Sequence, residues 1–371
     1  MLLLPGKREM KTIKSLVVIS VLAIPTLMAC VVTSSNADGG YESAEGPGTD
    51  PSGYEHVDEA LSSTGVAEVD DEECRWRAVL SSVYEEDGPG AVAIVSREGQ
   101  TIFHDAIGMA DVELGVSLRK DHILRLASVT KQYTAAAILT LVDDGELSLE
   151  DTVGDLLDYP QGDVTVHQLL NHTSGIKSYT SIPGYMSDER VRRELTTKEL
   201  IEVFVNEEPT FEPGTSWLYN NSGYILLGAI IEKITREPWH DFVRERLLLP
   251  LGIEQTDYYP DRAIAKGRVS GYQRGEVITN ASWISMTQPH AAGALSGTAA
   301  DVDRWQRALH GGEVLPERLL ERMRMPDDTS RGVMGDASLG RPPALRYIKL
   351  AEIPQRSVSK SRLAFTRGHN A

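Results

Sequence analysis

The chain has 371 residues, with 41% hydrophobic and 25% charged residues, a composition that supports a sizeable buried core without disulfides. A net charge of −17 argues against nucleic acid and against docking on anionic lipid, both of which need clustered Lys and Arg. Two cysteines and no Cys/His cluster at zinc-ligand spacing leave no expectation of a metal or cofactor, and a small uncharged or peptide-like substrate fits best. His167 and His172, the closest suggestive pair, are five apart and so do not share a helical face.

In chain order, Lys7, Arg8, Lys11 and Lys14 precede an apolar run at 15–29, the layout of an export signal. The run is too short for a comfortable membrane span, which needs about 20 apolar residues. It ends at Leu27-Met28-Ala29-Cys30, which resembles a bacterial lipobox, with Met28 a looser fit than the usual small residue. That reading makes Cys30 the lipidated first residue of an exported, envelope-anchored protein, and the lipid the sole membrane contact. Ordinary cleavage with Cys30 incidental is the alternative, and Met10 is an alternative start. Cys74 would then be a buried or free thiol.

Residues 31–70 carry nine acidic residues and no Lys or Arg, a disordered tether by composition. A folded domain is expected over 71–330. It opens with an amphipathic helix at 73–84 and a hairpin of 91–96 with 101–106. A helix at 128–144 has an apolar stripe of Val129, Tyr133, Ala136, Ala137, Thr140 and Leu141, and Gly145 stops it. Further helices are expected at 165–170, 197–206, 221–235, 239–248 and 299–309. Helix, hairpin, then a long helical insertion is an α+β order rather than repeating β-α-β units. The segment 331–371 reverses the charge, with eight basic and two acidic residues and no clear periodicity. A basic regulatory tail and an out-of-frame end both fit it.

Ser-x-x-Lys occurs three times, at Ser128–Lys131, Ser174–Lys177 and Ser357–Lys360. Only the first opens a helix with a long apolar face, placing Ser and Lys one turn apart on the same side. A serine hydroxyl needs an adjacent base to attack, and a partly desolvated lysine can lose its proton and serve as one. The helix N-terminus also directs backbone N–H groups at a developing oxyanion. Taken alone, the tetrapeptide favours an N-cap serine with a solvated lysine. The segment from Phe211 to Tyr224 changes that balance: Pro213-Gly214 makes a turn and Tyr219-Asn220-Asn221 leads into an apolar helix, 91 residues after Ser128.

Ser-x-x-Lys, Pro-Gly and Tyr-x-Asn in this order resemble the penicillin-recognising serine hydrolases. Within them the chain is similar to the class C β-lactamase-related branch, which includes D-amino-acid peptidases and esterases. Leu169-Leu170-Asn171-His172-Thr173-Ser174-Gly175, Leu249-Pro250-Leu251-Gly252 and Gly293-Ala294-Leu295-Ser296-Gly297-Thr298-Ala299-Ala300-Asp301 agree, so the likeness spans 90–324. It implies a β-lactamase/transpeptidase-like α+β fold, with an antiparallel sheet flanked by helices and a mainly helical subdomain. It also implies that Ser128 is the acylated nucleophile and Lys131 its base. Tyr219 then passes a proton to the leaving group, and Asn221 hydrogen-bonds the substrate amide.

The family's third element is Lys or His, a small polar residue, then Gly, on the strand bordering the cleft. At 150 residues past Tyr219 stand His369-Asn370-Ala371, which makes His369 a candidate substrate-binding residue. The Gly position is Ala371 and the second oxyanion N–H falls one residue further on, so the last sheet strands and the terminal helix are expected to be missing. The resemblance leaves three readings: an acyl hydrolase of esters, D-amino-acid peptides or β-lactams; a binding or regulatory module on the same fold; and a truncated product without activity. A histidine in the third motif leans towards esterase or peptidase.

Overall fold

A computed structural model describes residues 72–324 together with the backbones of three strands at 17–23, 29–34 and 345–348. The first two of these are β1 (Val17–Ala23) and β2 (Ala29–Ser34), followed by α1 (Glu72–Val83), β3 (Ala91–Arg97) and β4 (Gln100–Ile107). The β3–β4 hairpin turns through Glu98 and Gly99, both at positive φ (53° and 79°), the two-residue turn whose twist suits paired strands. Short strands β5 (Met109–Asp111), β6 (Val116–Ser117) and β7 (Leu124–Arg125) lead to the central helix α2 (Thr130–Asp143). Next come α3 (Val153–Leu157), α4 (Val166–Leu170), α5 (Thr197–Glu202), α6 (Asn221–Thr235) and α7 (Trp239–Phe242). After β8 (Asp257–Tyr258) and the hairpin β9 (Tyr272–Arg274) and β10 (Ile278–Asn280), the chain forms α8 (His290–Gly293), β11 (Leu295–Gly297), α9 (Ala299–His310) and α10 (Glu317–Arg324). β12 (Leu345–Ile348) closes the order.

The large sheet runs β12-β2-β1-β3-β4, antiparallel throughout. Residues 91–96 of β3 are all buried, as in a strand covered on both faces. Helix α9 lies across β3 and β1, and α1 lies against β4. Behind α9 is the helical body, built round α2 and α6. Both are buried on nearly every side, well beyond the single apolar stripe expected of α2. Tyr133 of α2 stacks on Trp305 of α9 at 4.2 Å between ring centroids, and Gln306 Nε2 donates to Gln132 Oε1 at 2.6 Å, so the sheet layer and the helical body share one seam.

The α+β architecture expected from the sequence is therefore present, with differences in individual segments. The segment 17–23, expected as the apolar part of an export signal, is strand β1, paired with β3 from Val17↔Arg97 to Ala23↔Ala91. Its β-branched Val17, Val18, Ile19 and Val21 suit a sheet as well as they suit a signal. Residues 31–34, assigned to the acidic tether, belong to β2, and part of the tail expected to lack periodicity is β12. Helix α5 ends at Glu202 rather than 206, and 239–248 is α7 continued by a π-turn at Val243–Leu248. Of the two alternatives expected for Cys74, a buried or a free thiol, its exposure removes the first. The remainder of the proposed signal, tether and tail lies outside the described residues.

Replacing Trp305, which has no exposed surface, by Ala should lower stability by about 3–5 kcal/mol, read as a fall in the urea midpoint. Ile264→Ala, at a side chain 99% exposed, should change it by less than about 0.5 kcal/mol.

Candidate active site

Ser128 sits in a 3-10 turn, Ala127–Val129, between β7 and α2. Ala127 has φ +47°, a left-handed conformation that costs a residue with a Cβ roughly 1–2 kcal/mol. The turn is held by its surroundings. Leu126 N–H donates to Leu295 O (2.9 Å), and Leu295 N–H donates to Thr130 Oγ1 (3.1 Å), so β11 grips both sides of it. The N-cap of α2 is Val129, with no side-chain cap bond. Ser128 is thus not a helix cap, and its half-buried side chain is turned to other partners.

Those partners are Lys131 and Tyr219. Lys131 Nζ lies 3.3 Å from Ser128 Oγ, and Tyr219 Oη donates to the same Oγ at 2.8 Å. Lys131 is 1% exposed, and its Nζ also donates to Asn221 Oδ1 at 2.8 Å and to the Ala292 carbonyl at 2.7 Å. These two oxygens cannot donate, so they fix two N–H directions of Nζ. The third direction faces Ser128, where Nζ can hold a proton as the ammonium or present a lone pair as the amine. The Nζ charge also lies 4.8 Å from the Tyr219 ring centroid and 5.4 Å from that of Tyr224, a geometry favourable to the cation.

Tyr219 is presented by a loop strapped to residues 172–175. Gly214, at φ +79°, donates its N–H to Thr173 O (2.8 Å), Thr210 N–H donates to Gly175 O (2.7 Å), and Leu218 N–H donates to His172 O (3.1 Å). Asn220 caps α6 by accepting the Gly223 N–H (2.9 Å) and donates from Nδ2 to Ile176 O. Its neighbour Asn221 therefore turns its amide into the cleft. Asn221 Nδ2 donates to Thr180 Oγ1 (3.1 Å) while its Oδ1 faces Lys131, which settles which end of the amide points where. Burial, with the Lys131 charge added, pushes the His172 imidazole down to about 3.

Of the site residues expected from sequence, Ser128, Lys131, Tyr219 and Asn221 converge on one cleft, although 91 residues separate Ser128 from Tyr219. His369 lies outside the described residues. Cys30 falls in β2, and its side chain is likewise outside them.

The Beta-lactamase family model matches residues 73–344 of the chain. The chain belongs to that family. Penicillin-binding protein 4* of Bacillus subtilis (strain 168) is 31% identical over 187 residues, covering 50% of this chain and 41% of that protein. Esterase EstB of Burkholderia gladioli is 35% identical over 185 residues, covering 46% and 47%. The crystal structure of D-amino acid amidase from Ochrobactrum anthropi SV3 complexed with D-phenylalanine superposes with a TM-score of 0.56 at 26% identity, covering 65% of this chain and 72% of that one. The chain spans less than half the length of these two curated relatives.

Within this Beta-lactamase-family site, sequence reasoning missed four contributors. The Ala292 carbonyl carries no side-chain signature. Thr180 and Ser178, whose Oγ accepts the Asn221 N–H at 3.2 Å, lie just past the Leu169–Gly175 motif and could have been sought there. His172 entered as the suggestive partner of His167 and within the Leu169–Gly175 motif, with no role of its own. In the fold, His167 Nε2 accepts from Arg322 Nη2 at 3.5 Å, and His172 is buried against Tyr219.

The His172 shift has a pH consequence. Its folded value lies below the unfolded value of about 6.5, so the unfolded chain binds the proton first. The stabilisation is whole above that value and is lost as pH falls towards about 3. Wild type should lose about 1.4 kcal/mol per pH unit more than His172→Asn between about pH 6 and 4, measured by urea unfolding at each pH.

Proposed function

We propose that this protein is a serine acyl hydrolase that works through an acyl ester on Ser128, with carboxylic esters and D-amino-acid amides or peptides as its substrate class and β-lactams as acylating ligands. One observation carries the reading: Ser128 Oγ stands within hydrogen-bond reach of both a buried amine and a phenol. As Oγ attacks the acyl carbon, its proton passes to the Lys131 Nζ lone pair. The tetrahedral intermediate then collapses, Tyr219 Oη protonates the leaving alkoxide or amine, and the Lys131 ammonium returns a proton to the phenolate. Water takes the leaving group's place, attacks the ester carbonyl with the same groups acting in reverse, and frees the acid. In this reading the second Asn221 Nδ2 hydrogen, beside the one given to Thr180, goes to the acyl amide carbonyl, while Oδ1 keeps Lys131 aimed at Ser128.

The substrate class is supported by the similarity to an esterase of Burkholderia gladioli and a D-amino acid amidase of Ochrobactrum anthropi. The spacing of His369, 150 residues past Tyr219, supports the same preference over true β-lactamase activity. A fluorescent penicillin should label the protein covalently and p-nitrophenyl esters should be cleaved. Ser128→Ala should abolish labelling and lower kcat/KM by at least about 10³-fold, and equal labelling of that variant would sink the proposal.

We further propose export and anchoring to the envelope membrane through a lipid on Cys30, supported by the basic start, the apolar run and Leu27-Met28-Ala29-Cys30. A chain cut before Cys30 lacks β1, so the β1–β3 pairing then belongs to the precursor alone. Membrane-fraction protein should show a mass starting at a lipidated Cys30, and Cys30→Ser should move it to the soluble fraction. A purified protein with its N-terminus intact and no lipid would overturn this.

A further inference from the structure

We propose that His172 is the positioning residue for Tyr219: as a neutral imidazole protonated on Nε2, it clamps the backbone on both sides of that tyrosine and so sets where the phenol meets Ser128. The inference rests on the acyl-hydrolase reading above. His172 O accepts the Leu218 N–H at 3.1 Å and His172 Nδ1 accepts the Asn220 N–H at 3.2 Å, so one residue holds the backbone N–H groups of both neighbours of Tyr219. The imidazole packs on the Tyr219 ring at 4.7 Å between centroids, with Tyr224 at 5.3 Å and Trp217 edge-on at 6.0 Å.

An Nδ1 that accepts a hydrogen bond cannot carry the proton, which fixes the tautomer as Nε2–H. Nε2 is buried and has no hydrogen-bond partner among the described residues, so it offers no polar contact that would favour the reverse tautomer. A charged imidazole would lose the Asn220 bond and would face the Lys131 ammonium in the same buried cluster. The depressed His172 pKa agrees. The backbone contributes as well: His172 has φ +65°, a left-handed conformation that turns both its carbonyl and its ring towards the 218–220 segment. Asn tolerates that φ, and its Oδ1 sits on Cγ just as Nδ1 does in His.

Leaving-group chemistry separates positioning from mere packing. An amine must be protonated to leave, whereas p-nitrophenolate departs unassisted, so a displaced Tyr219 penalises amides selectively. The test compares the p-nitroanilide and the p-nitrophenyl ester of D-phenylalanine in full-length wild type, His172→Leu and His172→Asn. In His172→Leu the anilide-to-ester ratio of kcat should fall at least about tenfold, and in His172→Asn it should stay within about threefold of wild type. An unchanged ratio in His172→Leu, with wild type active, overturns the proposal. A wild type silent on both substrates instead fails the acyl-hydrolase reading. Ring ¹⁵N NMR of wild type is independent of turnover and of how the variants fold. It should show His172 neutral and protonated on Nε2 throughout about pH 5–8, and titration in that range or a proton on Nδ1 overturns the proposal.

Discussion

The site depends on how a lysine amine is accommodated where water cannot reach it. Moving an isolated ammonium into a protein interior costs several kcal/mol even after relaxation, so Lys131 is tolerable only with its donors satisfied or its proton given up. Both solutions use the same two acceptors, Ala292 O from the end of α8 and Asn221 Oδ1 from the start of α6. The three elements meet closely. A Cβ on Gly228 of α6 would lie 2.7 Å from atoms of His290 and Ala291 in α8, and Thr134 of α2 donates to Ala291 O at 2.7 Å. Tertiary packing and site geometry are therefore one constraint: a shift of α8 against α6 moves an acceptor off Nζ and re-aims the group facing Ser128.

The N-terminal apolar run answers two physical demands. Strand β3 is buried along its length and needs a hydrogen-bonded neighbour on each side, which β4 and β1 supply. The same run, with its basic flank and terminal cysteine, has the chemistry of an export signal. Residues cleaved from a chain cannot also pair with its sheet, so the two uses exclude each other within one molecule. Secondary-structure pattern does not discriminate between them, because a short run of β-branched and apolar residues satisfies both.

What the sequence made legible follows from how far each signal reaches along the chain. Ser128 and Lys131 are three residues apart on a helical segment, so local geometry already brings them together. Tyr219 and Asn221 follow a Pro-Gly turn and precede an apolar helix, both short-range signals. The split of labour between Asn220 and Asn221 was not visible: both stand at the start of an apolar helix, but it is Asn220 that caps and Asn221 that faces Lys131. The carbonyl of Ala292 was illegible because any residue has one, and its use is decided by packing. The left-handed Ala127 was illegible for a related reason, since alanine does not ask for that conformation and only the grip of β11 imposes it. Helix α5 was overextended because apolar spacing continues past Glu202, where the chain instead leaves the helix.

Charge distribution gives the cluster around Tyr219 its internal logic. The phenol donates to Ser128 while the Lys131 amine lies over its ring, so one mobile proton and one positive charge serve the pair. A second cation behind the ring would repel the first. The fold places a histidine there, and its environment forces that histidine to be an acceptor: an N–H is aimed at Nδ1, the walls are aromatic, and among the described residues no carboxylate hydrogen-bonds it. Aromatic walls also strip away the solvent that would stabilise an imidazolium. A neutral His172 behind Tyr219 thus leaves the Lys131 charge at the ring unopposed from that side.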